Sequence, residues 1–218
     1  MKVKLIAYTP ECLKLIYAAI KTSSSKKPGS SFLRKPMTEK KKELIKKVIE
    51  WGHLSVIEHA NFTFSIEGIS RSCSHQLVRH RLASYTQQSQ RYVLLDELPT
   101  VVPPSIQKNE AALRKFNEII EKIKEAYQEL IALGINKEDA RYILPNATAT
   151  NLIVTMNARE LLHFFQLRLC DRSQWEIRKL AQEMLKEVRK VAPELFLTAS
   201  PPCATCKQPC PTGRNKKP

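Results

Sequence analysis

The sequence predicts an α+β fold, a single domain in which a mainly antiparallel sheet packs against several helices, one of them long and amphipathic. Stretches of strand period and of helix period follow one another without regular alternation, which favours α+β over a doubly wound sheet. No internal repeat appears at any period. The 218 residues are 43% hydrophobic and 26% charged, which suits one compact core rather than a disordered chain. The domain is expected over residues 1–200, followed by a tail over residues 201–218.

Residues 1–8 alternate as a strand, and Thr9 with Pro10 offers an N-cap and a first-turn proline for a helix reaching about Ile20. Residues 22–31 are a loop of Ser, Lys, Pro and Gly. Thr38 opens a second helix with Leu44, Ile45, Val48 and Trp51 on one face, and Gly52 ends it. Phe62, Phe64 and Ile66 alternate with polar residues as a half-buried strand. Arg71, His75 and Gln76 fall on a short helix. Leu113, Phe116, Ile120, Ile123, Tyr127 and Leu130 mark the long amphipathic helix, stopped by Gly134. Leu152, Val154 and Met156 form a further strand. Asn157 with Glu160, and Ser173 with Glu176, have the spacing that caps a helix, the second running to about Val191 with Ile177, Leu180, Met184 and Val188 inward.

Charge and composition narrow the function. The 36 Lys and Arg against 21 Asp and Glu give a net charge of +15, which points to a polyanionic ligand without choosing between nucleic acid and nucleotide. No helix-turn-helix, zinc-finger or aromatic-platform motif accompanies Tyr85 and Tyr92, so nucleic acid is not the expected partner. The apolar runs are broken by charge well short of the roughly 20 residues of a membrane span, and the first residues lack a signal-peptide core. A cytoplasmic protein without a membrane partner or a disulfide framework is expected. The 5 glycines, at 29, 52, 68, 134 and 213, leave no glycine-rich dinucleotide or phosphate loop. Any cofactor must be held by side chains and helix ends.

The chemistry concentrates in residues 71–91. Arg71, Arg79, Arg81 and Arg91 occur there with no acidic residue between them, beside His75, Gln76, His80, Gln87, Gln88, Ser89 and Gln90. Arginine forks suit phosphate, glutamine suits amide-like ring edges, and serine and backbone amides suit remaining phosphate oxygens. A nucleotide presents all of these targets.

Arg79, His80 and Arg81, then seven residues, then Ser89, resemble the signature of the flavin-dependent thymidylate synthases. The resemblance extends to Trp51-Gly52-His53 with Glu58-His59, to Ala140-Arg141 before Leu144-Pro145, and to Asn157-Ala158-Arg159 followed by Leu167-Arg168 and Gln174-Trp175-Glu176. It covers roughly residues 1–195. It implies that Arg79, His80 and Arg81 contact FAD, with Ser55, Gln87, Asn157, Arg159 and His163 as further contacts. Gln76, Arg79, Gln87, Gln88, Ser89, Gln90, Arg91, Arg141 and Arg168 resemble the dUMP-binding set. His53 and Glu58 match positions near flavin and folate.

The activity so implied is reductive methylation of dUMP to dTMP, with 5,10-methylenetetrahydrofolate as carbon donor and FAD reduced by NADPH as hydride carrier. No cysteine nucleophile is needed, and none lies inside the arginine-rich cradle; Cys73 comes nearest, and Cys73-Ser74-His75 carries no nucleophile signature that outranks a small buried residue. Arg168 is the catalytic residue by this resemblance, acting electrostatically on the uracil N3 edge because an arginine does not serve as a base. Alone, it also reads as a helix-end charge for Asp171 or Glu176. Asn157, Leu161, Phe164 and Arg168 share a helical stripe, whose polar ends lie roughly 16 Å apart at about 1.5 Å per residue. The resemblance further implies a homotetramer with shared active sites. The loop 87–91 with Arg141, and Gln76 with Arg168, are expected to come from different chains.

Cys203, Cys206 and Cys210 have ligand-like spacing but no fourth ligand nearby, so no complete local metal site is expected. A disordered tail, or metal capture shared with another chain or with Cys170, are the readings of that segment.

Overall fold

Phe62, Phe64 and Ile66 are fully buried while their neighbours along the chain are not, as the alternation predicts. They belong to the second strand of the computed structural model, which describes residues 1–95, 97–203, 206, 207 and 210–212. In chain order the elements are β1 (Lys2–Tyr8), α1 (Cys12–Ser24), α2 (Ser30–Leu33), α3 (Glu39–Glu50), a 3-10 turn (Leu54–His59) and β2 (Asn61–Ser70). Then come α4 (Arg71–Leu77), β3 (Ala83–Gln87), α5 (Pro104–Gln107), α6 (Glu110–Ala132), α7 (Lys137–Ala140), β4 (Ala149–Asn157), α8 (Ala158–Arg168) and α9 (Trp175–Val191). Among the described residues the strands form one antiparallel sheet in the order β1-β2-β4-β3, the α+β arrangement expected.

The chain divides into two compact units, each assembled from separated segments. The first comprises Met1–Lys2, Ile66–Arg79 and Thr86–Leu152. Its core forms where α6 turns Ile120 and Tyr127 against Leu95, Leu98 and Ala140, with Phe116, Ile123 and Leu130 packed alongside. Gly134 then takes a φ of +83°, a left-handed conformation open to glycine at no steric cost, and the long helix stops there.

The second unit comprises Val3–Ser65, His80–Tyr85 and Ile153–Pro218. Ile177, Leu180, Met184 and Val188 of α9 are fully buried, which is the face their spacing predicts. Phe62 and Phe165 each meet Phe196 edge-on, at 5.4 and 5.9 Å between ring centres. Truncating a buried phenylalanine of this kind costs about 3–5 kcal/mol, so this aromatic cluster is a main anchor of the unit.

Four local expectations need correction. Helix α1 begins at Cys12, because Glu11 takes a left-handed φ of 49° and the Thr9 hydroxyl accepts from Asn61 N at 2.9 Å instead of capping a helix. Trp51 is 65% exposed, since it is the C-cap residue of α3, past its last full turn. Helix α9 is capped by Gln174, whose Oε1 accepts from the backbone of Glu176 and Ile177, while the Ser173 hydroxyl donates to Leu167 O. Residues 83–87, read from the sequence only as part of the polar run 71–91, form strand β3. No helix among the described residues is long and apolar enough to cross a membrane.

Candidate functional site

Helix α4 starts where the Ser70 hydroxyl accepts from Cys73 N at 3.0 Å, an N-cap that fixes the helix direction. Cys73, Ser74 and Leu77 face inward, leaving Gln76 half-buried and Arg79 exposed just beyond the helix. Strand β3 ends at Gln87, whose Nε2 donates to the Ser74 and Thr150 hydroxyls at 3.0 and 3.2 Å. Gln88 is tied to β4 by its N–H on Asn151 O (2.9 Å) and by Asn151 Nδ2 on its Oε1 (3.3 Å). The Gln88 carbonyl accepts from Arg71 Nη2 at 3.0 Å. Ser89 closes the turn: its hydroxyl accepts from Arg91 N and its carbonyl from Val93 N. Gln87 and Gln88 thus have their side chains committed within the unit, while Gln90 stays half-buried and Arg91 exposed.

The charge here is unbalanced. Arg91 Nε meets Glu138 Oε2 at 2.5 Å, and Arg141 Nε donates to the Glu138 carbonyl at 3.0 Å. One carboxylate therefore serves Arg91, while among the described residues Arg141 meets a peptide oxygen and no carboxylate. Arg71 is partly buried, its Nε has no hydrogen-bond partner among the described residues, and burial followed by repulsion from Arg141 pushes its pKa down. A site with surplus guanidinium charge and partly desolvated donors attracts an oxyanion such as a phosphate.

The second unit presents different chemistry. The Asn157 side chain accepts from Glu160 N at 2.9 Å, the predicted cap, and Ala158 N donates to Ala60 O. Helix α8 then turns Leu161, Leu162, Phe164 and Phe165 inward and leaves Arg159 and His163, one turn apart, exposed. Arg159 pairs with Glu58 at 2.5 Å, beside exposed His53 and Ser55 on and before the 3-10 turn. Arg81 is exposed as well. Among the described residues neither Arg79 nor Arg81 has a carboxylate within ion-pair reach.

His80 sits differently from its neighbours in sequence. Its ring is 4% exposed, with Nδ1 at 3.0 Å from Glu160 Oε1 and Nε2 accepting from Arg168 Nε at 3.1 Å. Burial first, then the charges of Arg168 and His163, push its pKa down to about 4. The contact with Glu160 is a hydrogen bond of a neutral imidazole, not an ion pair, and burial pushes the Glu160 carboxyl upward. The Tyr85 hydroxyl donates to the His80 carbonyl at 2.8 Å, and burial raises its pKa too. With both ring nitrogens committed, any role of His80 in cofactor contact falls to its backbone.

Sequence reading missed Glu160, Glu138, Ser74 and Thr150 as supports. Glu160 was legible only as the capping partner of Asn157, although Glu160, Phe164 and Arg168 recur every fourth residue on one helix face. Asp171, a candidate partner of Arg168, receives Arg178 Nη1 at 3.2 Å and the Thr212 hydroxyl at 2.6 Å. Among the described residues no cluster of three His, Cys, Asp or Glu is placed to hold a metal ion.

A family model described as thymidylate synthase complementing protein matches residues 4–194. A flavin-dependent thymidylate synthase of Geobacter sulfurreducens is 48% identical over 223 residues, spanning 98% of this chain and 92% of its own. That of Sulfurisphaera tokodaii is 51% identical over 210 residues, covering 93% and 79%. Among solved structures, Helicobacter pylori ThyX complexed with FAD and dUMP superposes with a TM-score of 0.71 at 29% identity, over 92% of this chain and 100% of that one. The UMP/dUMP methylase PolB of Streptomyces cacaoi, bound with 5-Br dUMP, gives 0.79 at 25% identity over 90% and 94%.

Proposed function

The chain belongs to the thymidylate synthase complementing protein family, and from that premise we infer that it is a flavin-dependent enzyme converting dUMP to dTMP. The observation that carries this reading is the family match over residues 4–194, which contains every residue given a role below. Two features of the chain support it. Cys12 and Cys73 are buried out of reach of a pyrimidine, and burial also pushes the Cys12 thiol upward, away from the thiolate. The surplus cations around residues 87–91 suit the substrate phosphate.

In this reading Ser89, Gln90 and Arg91 with Arg141 hold the dUMP phosphate, Gln87 and Gln88 shape the substrate loop through the bonds that tie them to Ser74, Thr150 and Asn151, and Gln76 and Arg79 complete the substrate set. Arg168 lies against the N3 and carbonyl edge of the uracil. Its charge stabilises the N3 anion and raises electron density at C5, the atom that accepts the methylene carbon. One such preorganised donor is worth about 2.7–4 kcal/mol.

The donor set also fits FAD: among the described residues Arg79 and Arg81 have no carboxylate of their own, and Ser55, Arg159 and His163 stand exposed beside the Asn157 cap. Bound FAD, reduced by NADPH, would supply the hydride that reduces the methylene carbon donated by 5,10-methylenetetrahydrofolate to the methyl group of dTMP. His53 and Glu58 border that cofactor and the folate. The enzyme acts in the cytoplasm as a homotetramer, without a nucleic-acid or membrane partner.

Dialysing colourless protein against FAD, then following flavin absorbance, NADPH oxidation and dTMP formation from dUMP, tests the proposal. Retained flavin with dTMP formed only when methylenetetrahydrofolate is present is the expected result. Protein that retains no flavin at micromolar concentration would overturn it.

A further inference from the structure

We propose that His80 and Glu160 form a positioning pair that fixes the guanidinium of Arg168 for its work on the uracil. The proposal rests on the assignment of Arg168 to the uracil edge given above.

The geometry dictates the protonation of the pair. A guanidinium Nε–H only donates, so His80 Nε2, 3.1 Å away, must present its lone pair. The ring proton therefore sits on Nδ1 and is donated to Glu160 Oε1 at 3.0 Å. An imidazolium would aim two N–H groups at each other and break the contact with Arg168. Glu160 thus selects the tautomer, and the tautomer supplies the acceptor.

The surroundings keep the arrangement in place. His80 and Glu160 are 4% and 5% exposed, so water competes little for either hydrogen bond. Phe164, one turn before Arg168 on α8, meets the imidazole edge-on at 4.9 Å, and the His163 ring stands at 5.7 Å. The Tyr85 hydroxyl holds the His80 carbonyl at 2.8 Å. The ionisable groups facing the imidazole from α8 are therefore Glu160, His163 and Arg168, with Tyr85 from β3.

Arginine has a long side chain and a planar head. Fixing the direction of the Nε–H bond fixes the guanidinium plane and with it the directions of both Nη groups. Stabilising an anion that develops only during reaction requires donors already aimed at it, and this is the service the pair gives. His80 and Glu160 act through Arg168 and are positioning residues.

The test compares FAD-loaded wild type with His80→Phe, His80→Gln and Glu160→Gln. Glutamine can place an amide oxygen where Nε2 stands; phenylalanine cannot. Wild type is assayed first for dTMP formation, so that an absence of methylation counts against the proposed function and not against the pair. Methyl transfer from pre-reduced enzyme should fall about 100-fold in His80→Phe, recover to within about tenfold of wild type in His80→Gln, and fall about tenfold in Glu160→Gln, whose amide can donate to Nδ1 as well as accept from it and so no longer selects the tautomer. Flavin reduction by NADPH should change less than threefold, roughly, in all three.

A readout independent of turnover accompanies this. Fluorine at C5 makes the uracil N3 more acidic, so wild type should bind 5-fluoro-dUMP more tightly than dUMP in calorimetry. His80→Phe should lose most of that preference and His80→Gln keep it. The proposal is overturned if His80→Phe matches wild type in methyl transfer and preference, if His80→Gln is as poor as His80→Phe, or if both half-reactions slow equally. Should His80→Phe not fold, His80→Asn makes the same comparison, because its amide reaches toward Glu160 but not toward Arg168.

Discussion

Burial, the Arg168 cation and His163 hold His80 neutral, with a pKa of about 4 against an ordinary value of 6.5. The unfolded chain therefore takes up this proton first as pH falls. The associated stability is whole above about pH 6.5, is lost progressively as pH falls towards about 4, and changes no further below that. Melting temperatures measured at pH 7 and pH 5 should show a smaller acid drop in His80→Gln than in wild type; an equal drop in both would place the loss on other groups. At this scale the sequence reveals residue types but not their partners. The run 71–91 contains no acid, yet Arg91 finds Glu138 at a separation of 47 residues. Arg168 finds His80 at a separation of 88. Neither pairing leaves a local pattern in the sequence. His80 reads as one member of an Arg-His-Arg triplet until the fold shows that its two neighbours are exposed and it alone is buried.

Elements are legible where one face is buried and illegible where neither is. Strand β2, strand β4, α6 and α9 follow their apolar periods because burial of those side chains decides the conformation. Strand β3 has no such signal: its residues alternate only between exposed and half-buried, and Ala83, Ser84, Tyr85, Thr86 and Gln87 show no apolar alternation. Its pairing comes from the sheet, not from its own sequence. Helix caps are legible when the capping side chain has no competing partner, as at Asn157, and misread when a neighbour takes the role, as Gln174 does from Ser173. Asn157 carries two assignments, cap and flavin contact, which two substitutions separate. Asn157→Ala should lower unfolding free energy by about 1 kcal/mol in urea titration. Asn157→Asp keeps an acceptor and suits the helix N-terminus, so stability should hold while its negative charge weakens retention of the FAD diphosphate. Wild-type FAD retention in Asn157→Asp would confine this residue to the cap.

For the whole molecule, the net charge of +15 divides into a solvated lysine surface and a few arginines with particular partners. The residues assigned to dUMP fall into two units, Gln76, Arg79, residues 87–91 and Arg141 in the first and Arg168 in the second, so Gln76, grouped with Arg168 in the sequence reading, lies in the unit of the loop. In the proposed reaction the 218 residues also serve FAD and a folate, and sites completed by a neighbouring subunit would relieve that crowding. In a closed symmetric oligomer each chain then contributes its phosphate-binding loop to one site and its Arg168 to another. Arg91→Ala removes a charged group from the loop, and Arg168→Ala removes the group on the uracil; each variant alone should form almost no dTMP. Co-expressed with different affinity tags and purified as hybrids, the two should regain a fraction of wild-type activity, because some sites then receive Arg91 from one chain and Arg168 from the other. That fraction should rise with the proportion of mixed interfaces, whereas kcat per restored site should equal the wild-type value. Verified hybrids as inactive as their parents would mean that Arg91 and Arg168 serve the same substrate from within one chain.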